Sequence, residues 1–275
     1  MFSPYFITYL TIVIYILASC VGIAGLMLRM PVLRKAGAWL TVLAFACQTL
    51  ALILGFHKSL SGALSIGAYF QLLAWFFLLC GIGAWWRLKE DSLILFAAPF
   101  AFILFLMSAQ VLDVMVTLPT YLSSVFYTLH IGALFLSLGF LFLAFVAGVI
   151  FIILEKRLKI KKLIKGFLQD MPSLLLLDNI NAACVLAAFP LYTVGLLTGL
   201  FWSGQVYGKV FDGDPKELVS ILIWILLAVL FHNRLAKAWK GRKPALFAIT
   251  IFILSLFSIF AVNFLLLSHH SFFRN

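Results

Sequence analysis

Acidic side chains are scarce in this chain: nine Asp and Glu stand among 275 residues, against twenty Lys and Arg, and charged residues make up only 11% of the total. So little charge cannot clothe a water-soluble domain. With 65% apolar residues and a mean hydropathy of +1.16, the chain must use lipid as its solvent. Cysteine is sparse too. Cys20, Cys47, Cys80 and Cys184 all fall inside apolar runs, with no C-x-x-C and no C-x-x-C-H, which argues against disulfides, a zinc site and covalent attachment of a prosthetic group to this chain. There is no glycine-rich nucleotide motif, no nucleophile elbow, no convincing internal repeat and no stretch that reads as a soluble domain. Acidic residues are also missing from the depths of the apolar runs. The polar groups within or beside those runs, such as Gln71, Gln110, Asp113 and Asn263, are few and mostly uncharged, which ranks proton-coupled transport last among membrane functions.

What is present is apolar length. A membrane span needs about 20 mainly apolar residues to cross about 30 Å of hydrocarbon. Cut at its charges, the chain gives eight runs: 5–28, 36–56, 66–86, 92–112, 124–154, 182–202, 217–231 and 245–267. This predicts an all-α, polytopic helical bundle of about eight transmembrane helices in a single membrane domain, 1–275. The seventh run is short, and the fifth is long enough to tilt or project. The connection 155–180 reads as a basic loop with room for a short surface helix. Residues 1–9 lack the positive start of a cleavable signal, so the first run is expected to stay as a span.

Sixteen of the twenty basic residues follow runs one, three, five and seven: Arg29, Arg34 and Lys35; Arg87 and Lys89; six between Lys156 and Lys165; five between Arg234 and Lys243. Only Lys58, Lys209, Lys216 and Arg274 lie on the other side. The positive-inside rule then puts both termini on the non-cytoplasmic side of a cell inner (plasma) membrane. The net charge of +11 is accordingly read as orientation and contact with anionic lipid, not as a nucleic-acid surface.

The stretch 202–217, Trp-Ser-Gly-Gln-Val-Tyr-Gly-Lys-Val-Phe-Asp-Gly-Asp-Pro-Lys-Glu, lies on the outer side between two apolar runs. Asp214 can cap a helix, Pro215 suits its first position, and Glu217 completes a capping box. Trp202, Tyr207 and Phe211 offer rings to a flat ligand, or form the aromatic belt common at membrane surfaces. His57, His130, His269 and His270 share that side, whereas His232 belongs to the opposite end of run seven. His130 lies within a span, where a polar group is costly unless partnered, so both ligand and structural roles stay open for it. Adjacent His269 and His270 would point about 100° apart on a helix, so only one can aim at a given ligand.

Leu177-Asp178-Asn179, Phe189-Pro190, Gly199 to Trp202, Gly208, Asp214-Pro215-Lys216-Glu217, His232, Arg234-Leu235, Gly241-Arg242-Lys243, Val262-Asn263 and His270-Ser271 stand in an order that resembles the C-terminal part of the cytochrome c assembly family, CcsA-type branch. The likeness covers roughly the last third of the chain, together with Leu129-His130. It implies a tryptophan-rich haem-binding outer segment of the form W-G-x-x-W-x-W-D-P-K-E, flanked by two histidines that ligate iron. Here the three tryptophan positions hold Tyr207, Phe211 and Gly213, and the flanking histidines fall on His130 and His270. The same resemblance extends to HemX-like relatives, associated with haem biosynthesis and the level of glutamyl-tRNA reductase.

A porphyrin is flat and apolar with two propionates, and it suits aromatic faces, neutral imidazoles on the iron and cations at its edge. Tyr207, Phe211, His130, His270, Lys209 and Lys216 supply such groups, with Trp202 and Asp214 beside them. The expectation is a protein that binds haem b non-covalently at its outer face and takes part in cytochrome c maturation. Expected partners are a membrane subunit of the assembly system and apocytochrome c, and the alternative is a HemX-like regulator without catalysis.

Overall fold

The computed structural model describes residues 4–58, 64–110, 115–116, 125–161, 166–211 and 213–262. Among them eight helices are long and apolar enough to cross a membrane, as expected. They are α1 (Pro4–Met27), α2 (Pro31–Lys58), α3 (Ile66–Leu88), α4 (Asp91–Gln110), α5 (Phe126–Lys159), α6 (Leu174–Tyr207), α7 (Pro215–Leu235) and α8 (Arg242–Phe257), the last continued by a π turn, Ser258–Val262. A helix satisfies its backbone hydrogen bonds within itself, the condition for crossing hydrocarbon. Outward residues such as Val13, Ile16, Leu50 and Ile225 stay apolar because lipid accepts them as readily as a core does. Strand pairing among the described residues is slight: Leu64–Ser65 lies antiparallel to Met115–Val116.

The chain folds as two compact units, residues 1–117 with 153–173, and residues 118–152 with 174–275. In the first, α1 and α2 form a hairpin that closes on two glycines. A Cβ on Gly37 would lie 2.6 Å from Gly22 Cα, and one on Gly25 would lie 2.6 Å from the backbone nitrogen of Arg34, so both positions need a bare Cα. Tyr15, Phe70, Phe77 and Phe105 fill the interior. Tyr15 donates its hydroxyl to Gln48 Oε1, and Gln48 Nε2 donates to the Gln71 carbonyl at 2.7 Å. This chain of bonds avoids the penalty of about 2–7 kcal/mol for an unpaired buried amide or hydroxyl.

At the basic end of this unit Arg29 makes two hydrogen bonds to Asp170, each 3.1 Å, while Arg34 lies 3.5 Å from Asp91 and 3.9 Å from Asp170. Trp85 Nε1 donates to Asp91 Oδ1 at 2.9 Å. Phe167 and Met171 pack against Leu26, Ala38, Ile94 and Leu95. Together these hold a 3-10 helix, Gly166–Asp170, in the connection where a short surface helix was expected. The hydrogen bond from Arg29 holds the Asp170 carboxyl below its usual range; desolvation opposes this, and the charges of Arg29 and Arg34 add to it.

In the second unit α6 begins at Leu174, eight residues before the expected start at 182. Asp178 falls in the expected connection 155–180, and Asn181 just before the expected span, but each is paired inside the second unit. Arg234 Nη2 donates to Asp178 Oδ1 at 2.8 Å and to Asn181 Oδ1 at 2.6 Å, Arg234 Nη1 donates to the Trp239 carbonyl at 3.2 Å, and the Gly241 N–H donates to Asp178 Oδ1 at 2.9 Å. The buried guanidinium and the carboxylate it pairs with thus join α6, the end of α7 and the residue before α8. For the same reason α7 extends past residue 231 through His232 and Arg234.

Three side-chain hydrogen bonds to carbonyls fix the antiparallel seam of α5 and α6. His130 Nδ1 bonds the Gly195 carbonyl at 2.7 Å, Ser137 Oγ donates to the Ala188 carbonyl at 2.8 Å, and Asn181 Nδ2 donates to the Ala144 carbonyl at 3.0 Å. Their α5 positions, 130, 137 and 144, are seven apart, and so are 195, 188 and 181 on α6. Seven residues are two helical turns, the repeat that keeps one seam in line under slight left-handed coiling. On the other sides, Phe142 and Phe145 pack on Phe252 of α8, and Phe189 packs on Trp224 and Phe231 of α7.

Candidate functional site

The expected polar loop is shorter than the sequence suggests. α6 continues through Trp202 to Tyr207 and α7 starts at Pro215, leaving 208–214 as the connection. It leaves α6 through Gly208, φ 72°, and reaches α7 through Gly213, φ 74°, both in the left-handed region that favours glycine. Gly213 occupies a position where the resemblance implies tryptophan, and a side chain there would meet backbone strain of about 1–2 kcal/mol. Loss of that ring therefore comes with a backbone course that suits its absence.

Asp214 is buried and caps α7: its Oδ1 accepts the Lys216 N–H at 2.8 Å, Pro215 takes the first helical position, and the Leu218 N–H reaches the Asp214 carbonyl at 3.1 Å. The Asp-Pro-Lys start is thus a helix cap that fixes the backbone at Lys216. Lys209 is exposed, and its carbonyl accepts from Ser203 Oγ at 3.3 Å. Phe211 is half exposed on the connection. Tyr207 ends α6, but its side chain lies outside the described residues, as do Asp212, His269 and His270 and the side chain of His57.

Trp202 lies inside α6, before the connection. It is 7% exposed and packs at 5.8 Å, between ring centroids, on Tyr127 of α5. Beside it Phe201 packs on Phe126 at 4.8 Å. The first turns of α5 and the last turns of α6 are therefore stapled by two aromatic pairs, immediately next to His130. His232 sits exposed near the far end of α7, about 26 Å from Pro215 at 1.5 Å per residue, and is not part of this group.

His130 is the best-defined member. It stands in the second turn of α5, half buried. Its Nδ1 lies 2.7 Å from the Gly195 carbonyl, an acceptor that cannot donate, so Nδ1 carries the proton. In the neutral ring that assigns the lone pair to Nε2, which makes no hydrogen bond among the described residues. A histidine that anchors one nitrogen on a backbone carbonyl and presents the other is the usual arrangement of a metal-ligating imidazole. Among the described residues no three His, Cys, Asp or Glu cluster to hold a bare ion. One or two imidazoles suffice for an iron whose equatorial positions belong to a porphyrin, and an exposed ring at Phe211 and cations at Lys209 and Lys216 suit that group.

Sequence reasoning did not single out Gly195, although Gly195 and Gly199 form a G-x-x-x-G pair in an apolar run, the signature of close helix approach. It also gave no role to Ser137 or Tyr127, whose partners are distant in sequence.

Comparison with known proteins follows the same part of the chain. The sequence model of a family described as Cytochrome C assembly protein matches residues 66–270. Among similar curated proteins, the "Cytochrome c biogenesis protein CcsA" of Prochlorococcus marinus (strain MIT 9515) is 38% identical over 96 residues, 35% of this chain and 31% of that protein. The protein of the same description from Chlamydomonas reinhardtii is 30% identical over 143 residues, 52% of this chain and 39% of the relative. That from Gloeothece citriformis (strain PCC 7424) is 35% identical over 112 residues, 38% of this chain and 34% of the relative. The chain spans between 31% and 39% of the length of these relatives.

Proposed function

Because the chain belongs to the cytochrome c assembly protein family, we propose that it is a haem-binding membrane protein of cytochrome c maturation that handles or delivers haem at the outer face of the cell inner (plasma) membrane. The observation that carries this reading is the His130 imidazole, anchored through Nδ1 on the Gly195 carbonyl with Nε2 left to bond. His130 and His270 would hold the iron through their imidazoles. Phe211 and Tyr207 would supply rings for the macrocycle, Trp202 would back the site through Tyr127, and Lys209 and Lys216 would supply cations for the propionates. Asp214 acts by capping the helix that presents Lys216.

The haem is haem b, held without a covalent bond, and when bound it supplies the iron and the vinyl groups that a c-type cytochrome later carries in thioether linkage. The protein's own part is to hold the ring, exclude water from one face and leave an edge accessible. Stacked rings contribute about 1 kcal/mol per aromatic contact, on the scale of aromatic pairs. The partners are a membrane subunit of the assembly system and apocytochrome c. Residues 1–275 act as one membrane domain, with both termini on the non-cytoplasmic side, as the distribution of Lys and Arg supports.

One feature favours a second reading, a HemX-like regulator of glutamyl-tRNA reductase level. Tyr207, Phe211 and Gly213 stand where the family segment has tryptophan, which lessens ring stacking. Deletion of the protein separates the two readings. Haem-stained c-type cytochromes should fall in the membrane fraction while an immunoblot of the reductase stays constant. Intact c-type cytochromes with altered reductase would replace assembly by regulation.

A further inference from the structure

Two glycines one turn apart on α6 serve His130 differently. A Cβ on Gly195 would meet Leu134, at 2.6 Å from Cγ and 2.7 Å from Cδ2, so that glycine admits ordinary packing of α5 and gives its carbonyl to the imidazole. A Cβ on Gly199 would collide with Cε1 and Nδ1 of His130, and its third nearest atom is Cγ of the same ring at 3.4 Å. Its nearest neighbours are therefore atoms of the imidazole. Nδ1 reaches the Gly195 carbonyl only because the ring can enter the space that a side chain at 199 would take.

We propose that Gly199 is a positioning residue for the haem site, its bare Cα forming the seat that sets the attitude and tautomer of the His130 ring. This rests on the reading of His130 as an iron ligand. An Nδ1–H bond to a carbonyl raises the basicity of the other nitrogen and orients the ring, and loss of such a partner typically costs about 10- to 100-fold in metal affinity. Stronger donation from Nε2 also favours ferric iron, so the seat holds the midpoint potential down.

The test uses the full-length protein purified in detergent, with Gly199→Ala, His130→Ala and the double variant compared for haem retention, midpoint potential and thermal unfolding. Gly199→Ala should weaken haem retention by about 10- to 100-fold and raise the midpoint potential of the haem that stays. It should lower the unfolding temperature when His130 is present and not in the His130→Ala background, where the ring it would strike is gone. If Gly199→Ala alone fails to fold, recovery of folding in the double variant carries the same conclusion. An equal thermal penalty in both backgrounds would make Gly199 a packing residue and overturn the proposal, as would wild-type haem retention and potential in Gly199→Ala. Wild-type haem in His130→Ala would instead remove the ligand reading itself, and the seat with it.

Discussion

Replacing Arg234 with Met should be among the most damaging single changes in the second unit. The guanidinium is 3% exposed and Asp178 is 15% exposed, with 2.8 Å between them. Removing Arg234 leaves Asp178 Oδ1 with the Gly241 N–H at 2.9 Å and takes from Asn181 Oδ1 a donor at 2.6 Å. Breaking a buried ion pair from one side costs about 3–5 kcal/mol, and partial exposure of Asp178 puts this case near about 3. Asp178→Asn keeps an acceptor for Gly241 but strands a buried guanidinium, at a similar cost of about 3 kcal/mol. With both changes no charge is left unpaired, so the double variant should lose under about 4 kcal/mol, a coupling of about 2. The assay is reversible unfolding in mixed micelles followed by helical circular dichroism. Single penalties that add to within about 0.5 kcal/mol would show that the pair is not a coupled unit and refute the reasoning.

Other expectations are simpler to state. His130→Ala and His270→Ala should each abolish a low-spin bis-histidine absorption spectrum of the purified protein, whereas His232→Ala and His269→Ala should change it little; wild-type haem in the His130, His270 double variant would remove the site. Phe211→Trp should tighten haem retention, and Gly213→Trp should not, because a side chain there strains a backbone with φ 74°; dissociation rates to a haem scavenger separate them. Reporter fusions after Ser203 and at the C-terminus should behave as exported, and one between Lys156 and Lys165 as cytoplasmic. The depressed Asp170 pKa stabilises the 166–171 segment above the unfolded value of about 4 and is lost as pH falls through the lower folded value. Proteolysis within that segment should therefore rise below about pH 4, and Asp170→Asn should show the same susceptibility at neutral pH.

The helices were legible because crossing hydrocarbon demands length and apolarity, and the charges that bound them are confined to a few connections. Where the reading failed, a partner far along the chain decided. Asp178 looks like a loop residue, and Asn181 like a residue ahead of the span, until Arg234, 56 and 53 positions away, is seen to take both. Trp202 shows no packing partner in the sequence, and its pairing with Tyr127 appears only in the fold. His130 was visible as a costly polar residue in a span, whereas its proton was not: only the Gly195 carbonyl assigns it. Ser137 carries no signal in a sequence of this composition, yet it forms the middle rung of the α5–α6 seam.

That seam connects the two ends of the second unit in a way that bears on the proposed haem site. The Asn181 bond to Ala144 and the His130 bond to Gly195 are separated by fourteen residues on each helix, about 21 Å at 1.5 Å per residue. A helix holds its length, so register fixed at one rung is fixed at all three. A slip of one residue would turn each facing side chain by about 100° and take His130 off its carbonyl. Asn181 also accepts from Arg234, so the buried ion pair at one end stabilises the same register that fixes the imidazole proton at the other. Among these polar groups Ser137, Asn181 and the Arg234 amino groups all end on carbonyl or carboxylate oxygens, and each bond serves to align α5, α6 and α7. His130 Nδ1 is the last member of that series, and Nε2 is the nitrogen that the aligned helices leave free to bond something other than the protein's own described groups.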